Sequence, residues 1–301
     1  MTQTMTRLTH QQFESFVSEH RLPDSFFKLI DDHYSPLAEW VMKRRQPGKT
    51  LFLGINGAQG TGKSTLADYL KLILEIEYGW SVAVLSIDDF YLTKAERSQL
   101  AQDIHPLLAT RGVPGTHDIQ MLVDCIERLR ALEPDNTMTL PRFDKAHDDR
   151  ASPDSCPTVS GAIDLIILEG WCVGSQPQSE ESLSQAINTL EEHQDDSGTW
   201  RRYVNEQLQG PYAELFAHLD GLVFLQAPSF DAIYRWRVEQ EEKLAESSDH
   251  SATNIMSHEQ ISRFIQHFER LTRANLETLP ATADVVLELD DDHGCVKSYY
   301  A

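Results

Sequence analysis

Short continuous apolar runs alternate with amphipathic segments along most of the chain. The runs have the length and composition of strands buried on both faces of a sheet, and they lie at 51–55, 81–87, 164–168, 221–227 and 285–289. Between them, apolar residues recur every three or four positions and predict helices, which cover about 63–79, 118–132, 230–245 and 258–277. A short strand is expected at 138–140, and the tail at 295–300 suggests a partner for the last strand. Strands that alternate with helices predict an α/β fold with a largely parallel sheet covered by helices on both faces.

Helical periodicity also runs through residues 10–45, ahead of the first strand. Pro23 and Pro36 are expected to divide this region into shorter helices, because proline cannot donate the backbone hydrogen bond of a helix interior. We therefore predict one domain over 1–301, in which 1–47 is a helical N-terminal extension.

Residues 57–64 read GAQGTGKS and follow the first predicted strand directly. They match the phosphate-binding pattern GxxxxGK[ST] in full, at the start of a predicted helix, although an ordinary glycine-rich turn is the alternative. Glycines let such a loop wrap phosphates with its N–H groups, and the helix N-terminus adds partial positive charge. Lys63 is expected to reach the β- and γ-phosphates and Ser64 to hold Mg²⁺. The predicted ATP-binding residues are Gly57, Ala58, Gln59, Gly60, Thr61, Gly62, Lys63, Ser64 and Thr65.

Three acidic residues stand directly after predicted strands, where parallel sheets bind their ligands. Asp88 and Asp89 end the second strand, and Glu169 follows the strand at 164–168. A kinase that acts on a hydroxyl needs a carboxylate to orient that hydroxyl and accept its proton, so we predict Asp88 as the base, with Asp89 as second choice. Glu169 is predicted to help hold Mg²⁺. The alternatives are a capping or turn role for the aspartates and a structural role for Glu169.

Longer motifs resemble one enzyme family. SIDDFY at 86–91 is similar to a motif of uridine kinases, phosphoribulokinases and pantothenate kinases. Further segments together resemble the D-glycerate 3-kinase family of plants, fungi and bacteria, and with the phosphate loop they extend from about residue 50 to 275. They read HPLLATRGVPGTHD (105–118), LPRFDKAHDDR (140–150), LEGWCVG (168–174), WRRYVN (200–205), YRWRVEQEEKL (234–244) and HFERLTRANL (267–276).

The resemblance implies a P-loop kinase with a helical lid. It aligns the predicted base and the predicted magnesium acid with the corresponding residues of the family. Arg235 and Arg237 match the lid, predicted over 230–250, where arginines close over the phosphates of ATP. These two arginines and Lys63 join the base in the predicted catalytic set. After Lys145 the chain reads AHDDR where a glycine-richer run is expected, so the shape of that loop stays open.

The resemblance also implies glycerate, a small anion with a carboxylate and two hydroxyls. Arginine and lysine bind carboxylates, and the region 105–150 is predicted to bind the substrate because it groups basic residues in a chain of 47 acids and 26 bases. Each of them alone is by default an ordinary surface charge. The predicted substrate-binding residues are Asp88, Asp89, Tyr91, Arg111, His117, Arg142, Lys145 and Arg150, with Arg111 and Arg142 preferred for the carboxylate.

Together these features predict ATP-dependent phosphorylation of the 3-hydroxyl of D-glycerate to 3-phosphoglycerate by in-line transfer, with ATP and Mg²⁺. Two alternatives stay open: a related kinase for a nucleoside, pantothenate or another sugar acid, and a nucleotide-binding regulatory protein. The acid after the second strand and the lid arginines speak against the second, because a switch protein needs no base that activates a hydroxyl.

The composition limits the partners. A net charge of −21 over 301 residues argues against non-specific binding to nucleic acid or an anionic membrane, while a locally basic cleft still permits an anionic substrate. No apolar stretch has the length of a membrane span and the first residues lack the apolar core of a signal peptide, which predicts a cytoplasmic protein. The four cysteines show no CxxC pair or zinc-ligand spacing and are expected to be reduced thiols. The sequence does not set the oligomeric state.

Overall fold

The structure is a computed structural model that describes residues 10–23, 26–247 and 256–301. Residues 1–9, 24 and 25 of the predicted extension and 248–250 of the predicted lid lie outside these ranges. The α-helices are α1 His10–Glu19, α2 Phe26–Leu29, α3 Ser35–Lys43, α4 Lys63–Tyr78, α5 Lys94–Asp103, α6 Ile119–Arg130, α7 Glu180–Leu183, α8 Thr189–Gln194, α9 Thr199–Gln207, α10 Ala213–Phe216, α11 Phe230–Ser247 and α12 His258–Thr278. The strands are β1 Leu51–Gly57, β2 Val82–Ser86, β3 Thr137–Thr139, β4 Phe143–Asp144, β5 Asp149–Arg150, β6 Thr158–Ser160, β7 Leu165–Gly170, β8 Gly221–Gln226, β9 Val285–Leu289 and β10 Cys295–Tyr300.

The main sheet has the strand order β10-β9-β8-β1-β7-β2. β1 lies between β7 and β8 and runs parallel to both, and every residue of β1 is buried. β2 and β9 extend the parallel arrangement outward, and only β10 runs antiparallel to its neighbour. The predicted parallel sheet is confirmed, as is the pairing of the last strand with the tail.

Helices cover both faces of the sheet, as predicted. Leu53 of β1 belongs to an apolar cluster that includes Leu66 and Leu70 of α4. Phe52, the preceding residue, belongs to a second cluster with Leu122 of α6. Because successive strand residues point to opposite faces, β1 ties both helical layers to one strand and fixes the position of the loop that follows it.

The N-terminal region is helical, but Pro36 does not interrupt it as expected. α1 ends before Pro23, in agreement with the prediction. The chain then continues through α2, a π-helical turn at Ile30–Tyr34 and α3 without a break. Pro36 lies in the first turn of α3, where its missing N–H is tolerated, so it accompanies a change of helix type and not an end.

Two small antiparallel hairpins stand apart from the main sheet. β3 pairs with β6, and β4 pairs with β5 through Phe143 opposite Arg150. The helices α5 and α7–α10 and the strands β4–β6 have no counterpart in the sequence prediction. None of the helices in the described part of the chain is both long enough and apolar enough to span a membrane.

Candidate active site

The residues predicted to bind ATP run from the end of β1, through the loop that follows it, into the first turn of α4. Gly60 and Gly62 both have φ of +83°, a left-handed conformation that side chains rarely adopt. The Thr61 hydroxyl donates to the Ala58 carbonyl at 2.8 Å and Lys63 Nζ donates to the same carbonyl at 3.2 Å. Gly62 immediately precedes α4 and has no side chain to cap it, so the N–H groups of the first turn remain available to an anion. The loop therefore has the backbone of a phosphate site.

Ser64 and Glu169 form the predicted metal pair. Ser64 stands in the first turn of α4, and its hydroxyl donates to Glu169 Oε1 at 3.0 Å. Glu169 lies on β7 and is only 7% exposed, yet no salt bridge in the described ranges neutralises it. A buried carboxylate favours a cation beside it, and hydroxyl and carboxylate oxygens are ligands that Mg²⁺ prefers. The two residues therefore fit a magnesium site.

The rest of such a site would come from outside the protein. Across the described ranges, no group of three or more His, Cys, Asp or Glu side chains is arranged to hold a metal ion. Mg²⁺ commonly takes one or two protein ligands and completes its shell with water and nucleotide phosphates. Ser64 and Glu169 beside a phosphate loop match this pattern.

Asp88 and Asp89 lie in a 3₁₀ turn that follows β2 at the carboxyl edge of the sheet. The pairing of Ser86 with Glu169 brings this turn next to the metal pair. Asp88 accepts hydrogen bonds from the Tyr91 hydroxyl and Lys145 Nζ, both at 2.8 Å. The structure thus joins the predicted base, the predicted metal acid and one predicted basic residue at a single edge.

Asp89 is held by the first residue of strand β4 and by the residue directly before it. Its carboxylate accepts from the backbone N–H of Phe143 at 3.2 Å and pairs with Arg142 at 3.1 Å. Burial raises the pKa of the Asp89 carboxyl and outweighs the effect of Arg142. For Asp88, burial also raises the pKa, but Lys145 and the Tyr91 hydroxyl reverse this and leave the pKa below its ordinary value. Asp88 is therefore the more firmly ionised of the two acids.

Replacing Lys145 by Met is expected to raise the pKa of Asp88, because burial then acts without the opposing cation. The acidic limb of the pH profile of kcat/KM should move to higher pH by about one unit. The exposed Lys94 on α5 supplies the matched control, Lys94→Met, for which no movement is expected. An unmoved acidic limb in the Lys145 variant would contradict the assignment of that limb to Asp88.

The segment AHDDR, whose shape the sequence left open, forms the turn between β4 and β5. Asp148 adopts φ of +56°, the conformation for which glycine is usually selected. Its carboxylate forms salt bridges with Arg111 and, at 2.6 Å, with Arg97. The Arg97 side chain is only 1% exposed. Two arginines therefore hold the turn in a shape that a glycine-poor sequence would otherwise disfavour.

The predicted basic residues occupy different places in this arrangement. Arg142 and Lys145 form salt bridges with the acid pair, whereas Arg111 pairs with Asp148 of the same hairpin. Arg150 turns away and pairs with Asp118 at 2.7 Å. Lys145 therefore contacts the predicted base itself, and Arg142 contacts the neighbouring acid Asp89.

His117 is buried and uncharged. Its ring stacks on the Tyr91 ring with centroids 4.6 Å apart, and its Nδ1 lies 2.6 Å from the Tyr212 hydroxyl. Burial lowers the pKa of the imidazole to about 4, although Asp88 acts in the opposite direction. His117 therefore offers a neutral hydrogen-bonding group to the site and not a positive charge.

The low pKa of His117 predicts a specific loss of stability in acid. As the pH falls below 6.5, the unfolded chain protonates this imidazole while the folded chain does not until about pH 4, so folding is weakened across that window. Through this one residue, acidification from about pH 7 to pH 5 should lower the free energy of unfolding by about 2 kcal/mol. Urea unfolding at both pH values should show this difference between the wild type and His117→Gln. Equal pH dependence in the two proteins would contradict it.

The predicted lid helix α11 packs directly on the phosphate loop. Trp236 is 2% exposed, and a Cβ added at Gly60 would lie 3.0 Å from its Cβ. The neighbouring predicted lid arginines pair within the protein, Arg235 with Asp291 and Arg237 with Glu241. Both arginines would have to exchange these partners in order to reach ATP, so their contact with phosphates stays a prediction.

Three residues of this region were missed by sequence reasoning. Arg97 and Asp148 shape the β4–β5 turn, and Tyr212 holds His117. Tyr212 stands in the region 180–216, for which no elements were predicted, and nothing in its local sequence indicates a contact with the site. For Arg97 and Asp148, the missing glycine after Lys145 was the available signal, because it implied that side chains had to support the turn.

A parallel sheet with a GxxxxGKS loop after its central strand and an acid pair after β2 defines a P-loop kinase, an enzyme that uses ATP. No family model matches the chain. The chain is 34% identical over 241 residues to an uncharacterised kinase of Schizosaccharomyces pombe, with 77% of this chain and 83% of the relative covered. It is 30% identical over 255 residues to the chloroplastic D-glycerate 3-kinase of Arabidopsis thaliana, covering 80% of this chain and 52% of that enzyme.

The fold agrees with these likenesses. The solved structure of a D-glycerate 3-kinase from Cryptococcus neoformans matches with a TM-score of 0.72 at 25% identity, covering 90% of this chain and 99% of that one. The chain spans about half of the length of the Arabidopsis enzyme but nearly all of the fungal structure. The chain belongs to the D-glycerate 3-kinase family of P-loop kinases.

Proposed function

We propose that the protein transfers the γ-phosphoryl group of ATP to the 3-hydroxyl of D-glycerate, which gives ADP and 3-phosphoglycerate. One observation carries the proposal: Asp88 and Asp89 meet Lys145 and Arg142 at the sheet edge that also holds the phosphate loop. An acid suits the reacting hydroxyl, and the cations suit a carboxylate. The Arabidopsis and Cryptococcus relatives, both named D-glycerate 3-kinase, support the choice of acceptor.

The local charge supports an anionic acceptor. Four cations gather at the β4–β5 hairpin on a chain of net charge −21, and each pairs with an aspartate. An anionic acceptor could share these cations with their present partners. The cations are Arg97, Arg111, Arg142 and Lys145, and their partners are Asp88, Asp89 and Asp148.

Arg142 is the best placed group for the carboxylate. It is about one-third exposed, and its fork of N–H donors pairs with carboxylates bidentately. Its present partner Asp89 has a raised pKa and so holds its negative charge less firmly than Asp88 does. A glycerate carboxylate can therefore share or take over the Arg142 contact without leaving a strongly ionised acid unpaired.

Asp88 is the general base of the proposed reaction. Its ionised carboxylate orients the 3-hydroxyl and accepts the proton as the oxygen attacks the γ-phosphorus in line with the leaving ADP. The Lys63 ammonium leaves the Ala58 carbonyl, binds the phosphates and stabilises the negative charge on the transferring group. Ser64 and Glu169 would hold Mg²⁺, which would supply positive charge to neutralise the phosphates. The product keeps the carboxylate that Arg142 binds.

The lid would close before the transfer. Arg235 and Arg237 on α11 would leave Asp291 and Glu241 and close over the γ-phosphate, which also keeps water from the reacting atoms. Because Trp236 packs on Gly60 between them, the helix is already anchored at the loop that the arginines must reach.

An acceptor panel tests the proposal. ADP release should be measured with D-glycerate, L-glycerate, other hydroxy acids, uridine and pantothenate. D-glycerate is expected to exceed every other compound by about tenfold or more in kcat/KM, because its carboxylate suits Arg142 and its 3-hydroxyl suits Asp88. A preference for a nucleoside or for pantothenate would overturn the choice of acceptor. ADP release that no compound accelerates would indicate a nucleotide-binding regulatory protein instead.

A further inference from the structure

One buried nitrogen of the site has no partner. Among the side chains that the structure describes, His117 Nε2 is buried and makes no hydrogen bond, and the residue as a whole is 4% exposed. Buried polar atoms are rarely left unpaired in folded proteins, since each one costs free energy. An unpaired atom beside a reactive acid therefore points to a group that the site receives from outside.

The surroundings determine which nitrogen carries the proton. The Tyr212 hydroxyl oxygen accepts the Gly115 N–H at 3.0 Å. With its oxygen engaged by this donor, Tyr212 directs its own proton to His117 Nδ1 at 2.6 Å. Nδ1 is then the acceptor of the neutral ring, so the hydrogen lies on Nε2.

The ring belongs to the same cluster as the predicted base. It stacks on Tyr91, whose hydroxyl donates to Asp88 at 2.8 Å. Asp88 is also near enough to act on the imidazole electrostatically. A donor on this ring therefore lies close to the hydroxyl that Asp88 would activate.

We infer that the Nε2–H of His117 is a neutral hydrogen-bond donor for an oxygen of the acceptor substrate, and that Tyr212 is the positioning residue that holds the ring in this tautomer. The inference rests on the proposed function. It adds a requirement to that function: the acceptor presents a hydroxyl or carboxylate oxygen at this point. A compound with an ammonium group there would leave two donors facing each other and would be rejected.

The tautomer can be observed without any substrate. Full-length protein labelled with ¹⁵N-histidine gives ¹H–¹⁵N spectra that separate a protonated ring nitrogen from an unprotonated one, and His117→Gln identifies the signal. The proton is expected on Nε2 in the wild type, and a proton on Nδ1 overturns the inference. In Tyr212→Phe the ring should lose its single tautomer. Tyr203→Phe, on α9 and packed against the same Gly115, serves as the control that keeps it.

Substrate titration supplies the second readout. D-glycerate, added with Mg²⁺ and a non-hydrolysable ATP analogue, should shift the Nε2–H signal. His117→Gln and Tyr212→Phe should both raise the KM for D-glycerate, by about tenfold for the former, and leave the KM for ATP nearly unchanged. A purely structural role would alter both KM values or neither.

Failure of the inference and failure of the proposed function give different results. If the wild type phosphorylates D-glycerate but the Nε2–H signal does not move, the inference is wrong, the donor is satisfied by water, and the proposed function stands. If D-glycerate is not phosphorylated, the proposed function is wrong, and the same titration with the compound that the panel identifies decides the inference. If no compound is phosphorylated, both are wrong.

Discussion

Replacing Asp88 by Asn is expected to lower kcat by about 10²- to 10⁴-fold and to leave the Kd for ATP nearly unchanged. The amide can still accept a hydrogen bond from the substrate hydroxyl, but it cannot take up the proton. Among the described residues, Asp88 is hydrogen-bonded to the side chains of Tyr91 and Lys145, neither of which belongs to the phosphate loop, so nucleotide binding should not depend on it. Steady-state kinetics and calorimetric titration with ATP measure the two quantities separately.

The control for this variant is Asp103→Asn, on the exposed side of α5. It makes the same chemical change far from the site and should have wild-type kinetics. Unchanged kcat in the Asp88 variant would remove Asp88 from the role of base. A large loss of ATP affinity would indicate that Asp88 supports the nucleotide and not the acceptor.

Replacing Lys63 by Ala is expected to reduce kcat/KM for ATP by about 10²- to 10³-fold, through both weaker binding and slower transfer. The ammonium group rests on the Ala58 carbonyl at the rim of the loop, within reach of phosphates held by the first turn of α4. The Lys63 ammonium stabilises the negative charge that develops on the transferring phosphoryl group. Its removal should therefore destabilise the transition state more than the complex with bound nucleotide.

Lys71→Ala is the matched control, because Lys71 lies two turns further along α4 and pairs with Glu75 on its outer face. Lys71→Ala should change neither kcat nor the KM for ATP. If the Lys63 variant binds and uses ATP as the wild type does, the loop is not a phosphate site and the proposal for this protein fails at its first step.

The central part of the fold is local in the sequence and was therefore predictable. Each inner strand is a continuous apolar run, because strands covered on both faces cannot alternate. The phosphate loop has an unbroken motif, with two glycines in left-handed conformations that few other residues adopt. The left-handed Gly79 ends α4 where the sequence predicted a stop.

The site's internal pairing was not predictable, because it joins distant parts of the chain. Lys145 and Asp88 are 57 residues apart, and Tyr212 and His117 are 95 residues apart. The sequence supplied a group of basic residues but no indication of which acid each would meet. Arg150 shows the consequence, since it was predicted to bind substrate and pairs with Asp118 at the edge of the region.

The helices between 180 and 216 escaped prediction for a different reason. Their inner face is held partly by buried ion pairs, and Glu191 is completely buried against Arg270. Asp195 is likewise buried and pairs with Arg201 at 3.0 Å. Charged residues are usually exposed, so a segment that buries them does not show the apolar periodicity of a helix packed on the core. Hydrophobic periodicity alone therefore did not indicate which side of these helices faces the core.

The most direct test of the proposed reaction is the identity of its product. Purified protein should be incubated with ATP, Mg²⁺ and D-glycerate, and the phosphorylated compound identified by ³¹P NMR against authentic 2- and 3-phosphoglycerate. We predict 3-phosphoglycerate, formed in equal amount with ADP and only when D-glycerate is present. Phosphate on the 2-hydroxyl, or ADP formed at the same rate without an acceptor, would contradict the proposed function.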